Sequence, residues 1–417
     1  MSRKEPSFLS VSTRGKRMGT LSLFEPLCHL LLLCIFFLHG LVAVEAFTGT
    51  YGINYGRLAN NIPSPENVVK LLKASKLKNV RIYDADHSIL KAFKGSGLDL
   101  VIGVPNDLLK EMNTSEDRAM SWVKENVESF MPETRIRGIA VGNEILGITD
   151  QDTQESLVGA VKNVYKALES LHLKDVVELV APHSQIVFAD SYPPSACTFK
   201  DSLMQYMKPL LEFLSQTGGH FYINVYPFLA YSGDPENINI NYALFLPNPG
   251  IHDDKTNLHY DNMFDATVDA AYTALEAAGF GKMEVRVSET GWASKGDSDE
   301  SGASVQNARI YNYNLRKRLA LRKGTPFRPH IVMKAYVFAL FNENSKSGKA
   351  SERNFGLFKA DGSIAYDIGF SGLEHSAASK SLMSLKDAQH RGWSSVSGPY
   401  TMALTMCAAV LLPVLVS

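Results

Sequence analysis

Two short stretches carry side chains able to act as acids, bases or nucleophiles: Val141-Gly142-Asn143-Glu144 and Val287-Ser288-Glu289-Thr290-Gly291-Trp292. Each ends a run of β-prone residues, Ile136 to Val141 in one and Glu284 to Val287 in the other. A strand that runs into polar residues and glycine delivers its last side chains to a rim. One glutamate in such a place is more often a cap or an ion-pair partner. Two glutamates on converging strand ends suit glycoside hydrolysis. One protonates the leaving oxygen, and the other attacks the anomeric carbon or activates water. A separation of about 5–5.5 Å gives retention of configuration. Asn143 reads either as a hydrogen-bond donor to a sugar hydroxyl or as an ordinary turn residue.

The elements that must place these residues alternate along the chain. Strand-like runs cover 52–56, 80–84, 99–104, 136–145, 177–181, 221–228, 284–289 and 334–341. Helical spacing fills the gaps. Ser64-Pro65-Glu66 reads as a cap with proline in the first turn, ahead of Val68, Val69, Leu71 and Leu72. Thr114 with Asp117 is expected to cap a helix bearing Met120, Val123, Val127 and Phe130. Leu157, Val161, Val164 and Leu168 repeat the pattern, as do Phe264, Val268, Ala271 and Leu275. Eight strand–helix units predict an α/β fold, a single (β/α)8 TIM barrel over residues 47–373 with enlarged late loops. The carboxylates would then stand at the C-terminal ends of strands four and seven. A doubly wound open sheet is the competing architecture, but no Gly-x-Gly-x-x-Gly follows the first strand.

The 417 residues begin and end with segments that read as processing signals. Residues 1–46 have basic Arg14, Lys16 and Arg17, an apolar run from Leu30 to Leu38, and small residues at Val44-Glu45-Ala46. That is the three-part pattern of a secretory signal peptide, with a signal anchor as the alternative and Met18 as a second possible start. Residues 374–395 form a Ser-rich linker, and 396–417 read as a GPI-attachment propeptide with Ser394 or Ser395 as the lipidated residue. A tail-anchoring helix is the rival reading, but the apolar run falls short of about 20 residues. The formal net charge is −1, and residues 1–46 hold five basic and three acidic side chains, leaving about −3. No basic stripe supports nucleic-acid binding. A near-neutral surface suits an uncharged substrate, and two-carboxylate chemistry needs neither cofactor nor metal. Only Cys197 lies between the two signals, so no internal disulfide is expected and the thiol reads as apolar filler. Asn113-Thr114-Ser115 is a glycosylation sequon, expected on an exposed loop.

Several motifs together resemble the plant β-1,3-glucanases of glycoside hydrolase family 17. They are Tyr51 to Gly56, Arg81-Ile82-Tyr83-Asp84, Val141 to Glu144, Ile223 to Pro227, Val287 to Trp292, Phe341 to Lys346 and Asn354 to Phe358. The resemblance implies a retaining endo-1,3-β-glucanase, with Glu144 as proton donor and acid/base and Glu289 as nucleophile. It implies Glu343 and Lys346 as a supporting pair, and Glu352 as a further acidic cleft residue. A lysine beside Glu289 would keep that carboxylate ionised, while apolar or anionic surroundings would hold Glu144 protonated. Tyr55, Tyr83, Tyr226, Trp292 and Phe355 are candidates to line the cleft, each with core packing as the alternative. Ala293, Ser345 and Phe355 depart from the family's usual Pro, Gln and Trp, and the six-cysteine carbohydrate module found in some members is not expected. The implied partner is a β-1,3-glucan such as callose, met by a secreted monomer held to the outer plasma membrane by a GPI lipid, in the cell wall or at plasmodesmata. Mixed-linkage 1,3-1,4-β-glucan hydrolysis and a silent glucan-binding surface protein are the alternatives.

Overall fold

Short strands rich in Val, Ile and Leu, buried along nearly their whole length, alternate with amphipathic helices, and the result is a closed parallel barrel. The computed structural model describes residues 49–147 and 150–372. The expected signal peptide, the Ser-rich linker and the propeptide with Ser394 and Ser395 lie outside the described residues. The first half of the fold runs β1 (Tyr51–Asn54), α1 (Pro65–Ala74), β2 (Asn79–Arg81), α2 (His87–Phe93), β3 (Asp99–Val104), α3 (Leu109–Thr114), α4 (Glu116–Asn126), β4 (Arg135–Val141) and α5 (Gln151–Ser170). Strand β5 comes in two pieces, Glu178–Val180 and Pro182–His183. Then follow α6 (Met204–Thr217), β6 (Phe221–Asn224), α7 (Pro227–Gly233), α8 (Ile240–Ala243), α9 (Met263–Ala277), β7 (Val285–Thr290), α10 (Val305–Ala320) and β8 (Ala335–Val337).

All eight expected strands are present, and every pairing among them is parallel. The ring closes through β5, whose first piece pairs with β4 and whose second pairs with β6. Ala181 is the break between them. Two hairpins are added on the loops, Phe188–Asp190 with Thr198–Phe199 and Ile251–Asp253 with Leu258–Tyr260. They belong to the enlarged late loops that the strand spacing predicted.

The barrel interior is layered. Val101, Ala140, Val180, Tyr222 and Tyr336 form an apolar middle. Below it, Arg286 donates to Glu178 Oε2 at 3.0 Å, and His220 Nδ1 lies 2.7 Å from Glu178 Oε1. Above it lie the polar side chains of Asn54, Arg81, Asn224 and Ser288, all at most 2% exposed. Gly52 is required at this depth, because a Cβ there would stand 2.4 Å from the Tyr336 ring.

Strand ends differ from the expectation in one consistent way: β1, β2, β4, β6 and β8 leave the ladder earlier on their C-terminal side. Their last residues turn aside to build the mouth. The cap of α4 is Ser115, whose side chain accepts from Arg118 N, and not Thr114, which closes α3 by donating to Lys110 and Glu111 carbonyls. Ser64 occupies the cap of α1 without a side-chain cap bond, so Pro65 supplies the start signal. Asn113 sits half-buried in the last turn of α3 against Gly159, a correction to the loop expected for the sequon. Cys197 is buried and free, and burial pushes its thiol up to about 12, as an apolar filler requires. No helix among the described residues is long and apolar enough to cross a membrane.

His183, at the closing strand, is 1% exposed, stacks on Phe221 with ring centroids 5.2 Å apart, and has no hydrogen-bond partner on either nitrogen. Burial lowers its pKa to about 4, from the usual value of about 6.5. Between those values the unfolded chain binds the proton and the folded one does not. Its stabilising contribution is therefore full above about pH 6.5 and is lost as the pH falls towards 4, by about 3 kcal/mol in all. In urea titrations across this range, His183→Leu is expected to show a flatter dependence of stability on pH than the parent. Parallel curves would remove His183 from the acid response.

Candidate active site

Glu289 reaches the barrel mouth through an irregularity in its own strand. In β7 the register shifts between Val287 and Glu289 against β6, and between Val287 and Thr290 against β8. Strict alternation after Ser288, which faces inward, would send Glu289 towards the helices. The bulge re-aims it. Its Oε1 accepts from Arg81 Nη1 and from the Tyr83 hydroxyl, both at 2.9 Å, and its Oε2 accepts from the Tyr226 hydroxyl at 2.8 Å. Arg81 is 2% exposed and Glu289 6%, so this is a buried ion pair. Burial, then the charge of Glu289, pushes both phenols far above the usual tyrosine range and keeps them as donors.

Glu144 arrives by a different local device. After β4 the chain passes through Gly142 at φ +68°, and Glu144 itself sits at φ +54°. A side chain is strained there. The turn is held by Glu144 N donating to Pro182 O at 2.9 Å and by Asn143 exchanging two bonds with Asn106, at 2.8 and 3.0 Å. Asn224 Nδ2 donates to Glu144 Oε1 at 2.8 Å, and Ser288 in turn donates to Asn224 Oδ1 at 2.6 Å. Burial and then the nearby Glu289 raise the pKa of Glu144, against the opposing pull of the Asn224 bond, Arg81 and Lys346. The two carboxyl groups thus share one cleft with unlike surroundings. Glu289 is met by a cation and two phenols, Glu144 by one amide.

The cleft has a volume of about 850 Å³ and is lined by Tyr55, Tyr83, Asn143, Glu144, Tyr226, Glu289, Glu343, Lys346, Glu352 and Phe355 among others. Of the residues expected in the cleft, one is elsewhere. Trp292 is fully buried behind the wall, between Phe228 and Tyr311, with Nε1 donating to Gly302 O at 2.9 Å. Phe355 packs edge-on against Tyr226 and Phe338 and forms part of the wall. The cation in contact with Glu289 is Arg81 rather than Lys346, which corrects the expected charge pairing. Lys346 instead bonds Glu352 Oε2 at 2.9 Å and rests over the Phe338 ring at 4.7 Å. Burial alone would lower Lys346, but Glu352 first, then Glu343 and Glu289, raise it. Glu343 accepts from Leu58 N at 2.9 Å, and burial raises its pKa. A Cβ on Gly56 would stand 2.5 Å from that carboxyl, so only glycine fits.

Arg81 and Asn224 are working residues that the sequence reading passed over. Both lay inside quoted motifs, and the available signal was a charged or amide side chain at an inward position of an otherwise apolar strand. Asn143 also gains a definite orientation. Its Oδ1 accepts from Arg81 Nη2 at 2.7 Å, which fixes the orientation of the amide at the cleft.

Comparison with known proteins agrees with this geometry. Residues 51–370 match the glycosyl hydrolases family 17 profile. Glucan endo-1,3-beta-glucosidase 14 of Arabidopsis thaliana is 47% identical over 321 residues, covering 77% of this chain and 82% of that protein. Among solved structures, CJP38, a beta-1,3-glucanase and allergen of Cryptomeria japonica pollen, superposes with a TM-score of 0.74 at 40% identity, over 77% of this chain and 99% of that one. One of two plant beta-glucan endohydrolases with distinct substrate specificities gives 0.71 at 36% identity, over 76% of this chain and 100% of its own.

Removing one partner from a buried pair leaves the other charge uncompensated. Arg81→Met is therefore expected to cost about 3 kcal/mol of stability in chemical denaturation, with the two phenols limiting the loss. A variant as stable as the parent would mean that solvent already screens Glu289.

Proposed function

Because the chain belongs to the glycosyl hydrolases family 17, we propose that it is an endo-acting 1,3-β-glucanase that hydrolyses with retention of configuration. The supporting observation is the unlike pair of carboxyl groups in one cleft, Glu289 with three donors and Glu144 with a raised pKa. In the first step Glu144 gives its proton to the glycosidic oxygen while a Glu289 oxygen attacks the anomeric carbon. The bond to the leaving sugar breaks, and a glycosyl ester forms on Glu289. In the second step Glu144, now a carboxylate, takes a proton from water, whose oxygen displaces Glu289. Arg81, Tyr83 and Tyr226 orient the attacking carboxylate and receive it back as an anion when the ester is cleaved. Asn143 is suited to bond the hydroxyl next to the reacting carbon.

The relatives' endo-1,3-beta-glucosidase activity and the tyrosines and Phe355 along the cleft wall favour a β-1,3-linked glucan, and callose is the plant wall polymer of that linkage. On the signals at the two ends of the sequence, we propose secretion and GPI anchoring at the outer plasma membrane, with the glucan of the wall or of plasmodesmata as substrate. Asn113 is the proposed glycan acceptor. Release of the protein from membranes by a phosphatidylinositol-specific phospholipase is the expected result, and retention on the membrane would reject the anchor.

Laminarin incubated with the secreted protein is expected to yield new reducing ends, with oligosaccharides as early products. Mixed-linkage 1,3-1,4-β-glucan cut at an equal rate would transfer the assignment to that substrate. Glu289→Ala is expected to lose nearly all turnover, and with azide added it should give an α-glycosyl azide. A β-configured azide would contradict retention.

A further inference from the structure

Glu300 lies in the segment between β7 and α10, buried and outside the lining of the cleft. A buried carboxylate needs partners that replace its lost hydration, and this one has three donors. Its Oε2 accepts from the amides of Asp297 and Ser351, at 2.9 and 3.0 Å, and its Oε1 accepts from the Ser351 hydroxyl. Burial alone would raise its pKa, but the Ser351 hydroxyl first, then the two amides, lower it, so the group stands ionised. Asp297 extends the seam, its Oδ2 accepting from the amide of Ala350 at 2.9 Å. Ser294 donates from its amide and its hydroxyl to Asn354 O, at 2.8 and 2.9 Å. The loop after the strand of Glu289 is thereby fastened to the short helical turn Ala350–Arg353.

The turn carries Glu352, which lines the cleft and holds Lys346. Both side chains of that pair are partly exposed. Such a pair gains little from its contact and gives up rotamer freedom to make it, so it cannot fix its own place. Its place is set by the backbone beneath. Arg353 closes the turn from within, donating to the carbonyls of Lys346 and Gly348 at 3.1 and 2.9 Å. Glu300 and Asp297 hold it from outside. What the turn delivers is the Lys346 charge, which acts on Glu144, Glu289 and Glu343 together.

We propose that Glu300 is a positioning residue for hydrolysis: through Ser351 it fixes the turn that places the Lys346–Glu352 pair beside the reacting carboxylates. The assignment rests on the glucanase reading above and extends the machinery to a side chain outside the cleft. Shape more than charge carries the role. A glutamine there keeps one oxygen for both amides, and its NH2 can donate to the Ser351 hydroxyl oxygen. Alanine leaves all three donors without this acceptor.

Laminarin kinetics test it, at a temperature where circular dichroism shows every variant folded. Glu300→Ala is expected to lower kcat about tenfold with KM changed less than about twofold, and Glu300→Gln to stay within about twofold of the parent. In a Lys346→Met background, where the charge is already gone, Glu300→Ala should alter kcat by less than about twofold. Full kcat in Glu300→Ala with only the melting temperature lowered, or an equal loss in the Lys346→Met background, would overturn the proposal. Should Glu300→Ala not fold, Asp297→Ala, which frees only the Ala350 amide, takes its place, with a loss of about threefold expected and the same two overturning results. Hydrogen exchange gives a reading without substrate: the Ser351 amide should exchange faster in Glu300→Ala, and unchanged protection would overturn the hold on the turn. A parent protein that cuts no β-1,3-glucan would defeat the glucanase reading, and the exchange result would still decide what Glu300 holds.

Discussion

A carboxylate drawn out of water at the end of β7 is the constraint from which the mouth of the barrel follows. Burying an ion costs several kcal/mol unless partners with good geometry replace the lost hydration. Glu289 finds a guanidinium and two phenols, from residues at the ends of β2 and β6. Each partner has further duties. Arg81 also bonds the Ser288 carbonyl and Asn143, and so ties the strand of Glu289 to the turn that carries Glu144. Asn224 joins Ser288 to Glu144 from the other side. The two reacting groups are held by one connected set of bonds, so a change at one member is felt by the others.

The architecture was legible in the sequence because it rests on local signals. Periods of apolar residues marked eight strands and several helices, Pro65 marked a helix start, and polar residues at two strand ends marked Glu144 and Glu289. What stayed hidden depends on contacts between distant segments. The bulge in β7 has no signature in Val287-Ser288-Glu289, and only pairing with both neighbours reveals it. The partner of Glu289 could not be chosen between Arg81 and Lys346 from spacing, since both are far from it along the chain. Trp292 followed the glutamate so closely that it was counted with the cleft. The chain turns after Gly291, and the ring drops into the core beside Tyr311.

The layering of the interior explains how so polar a mouth coexists with a stable barrel. An apolar band separates it from the Glu178–His220–Arg286 group beneath. A strand slipped by one residue would turn charged side chains of both layers towards the helices. The ionic layers thus specify register as well as chemistry, at two heights in the same barrel.

The interruption of β5 at Ala181 gives this closed sheet a seam. A ring of strands opens most easily where one strand shares its bonds between its neighbours instead of pairing fully with both. Here the seam runs beside Pro182, whose carbonyl is bonded by the amide of Glu144. One backbone bond therefore acts as a latch between the hoop and the acid it carries. Mechanically, any widening of the barrel at this joint would pull on the turn that carries Glu144.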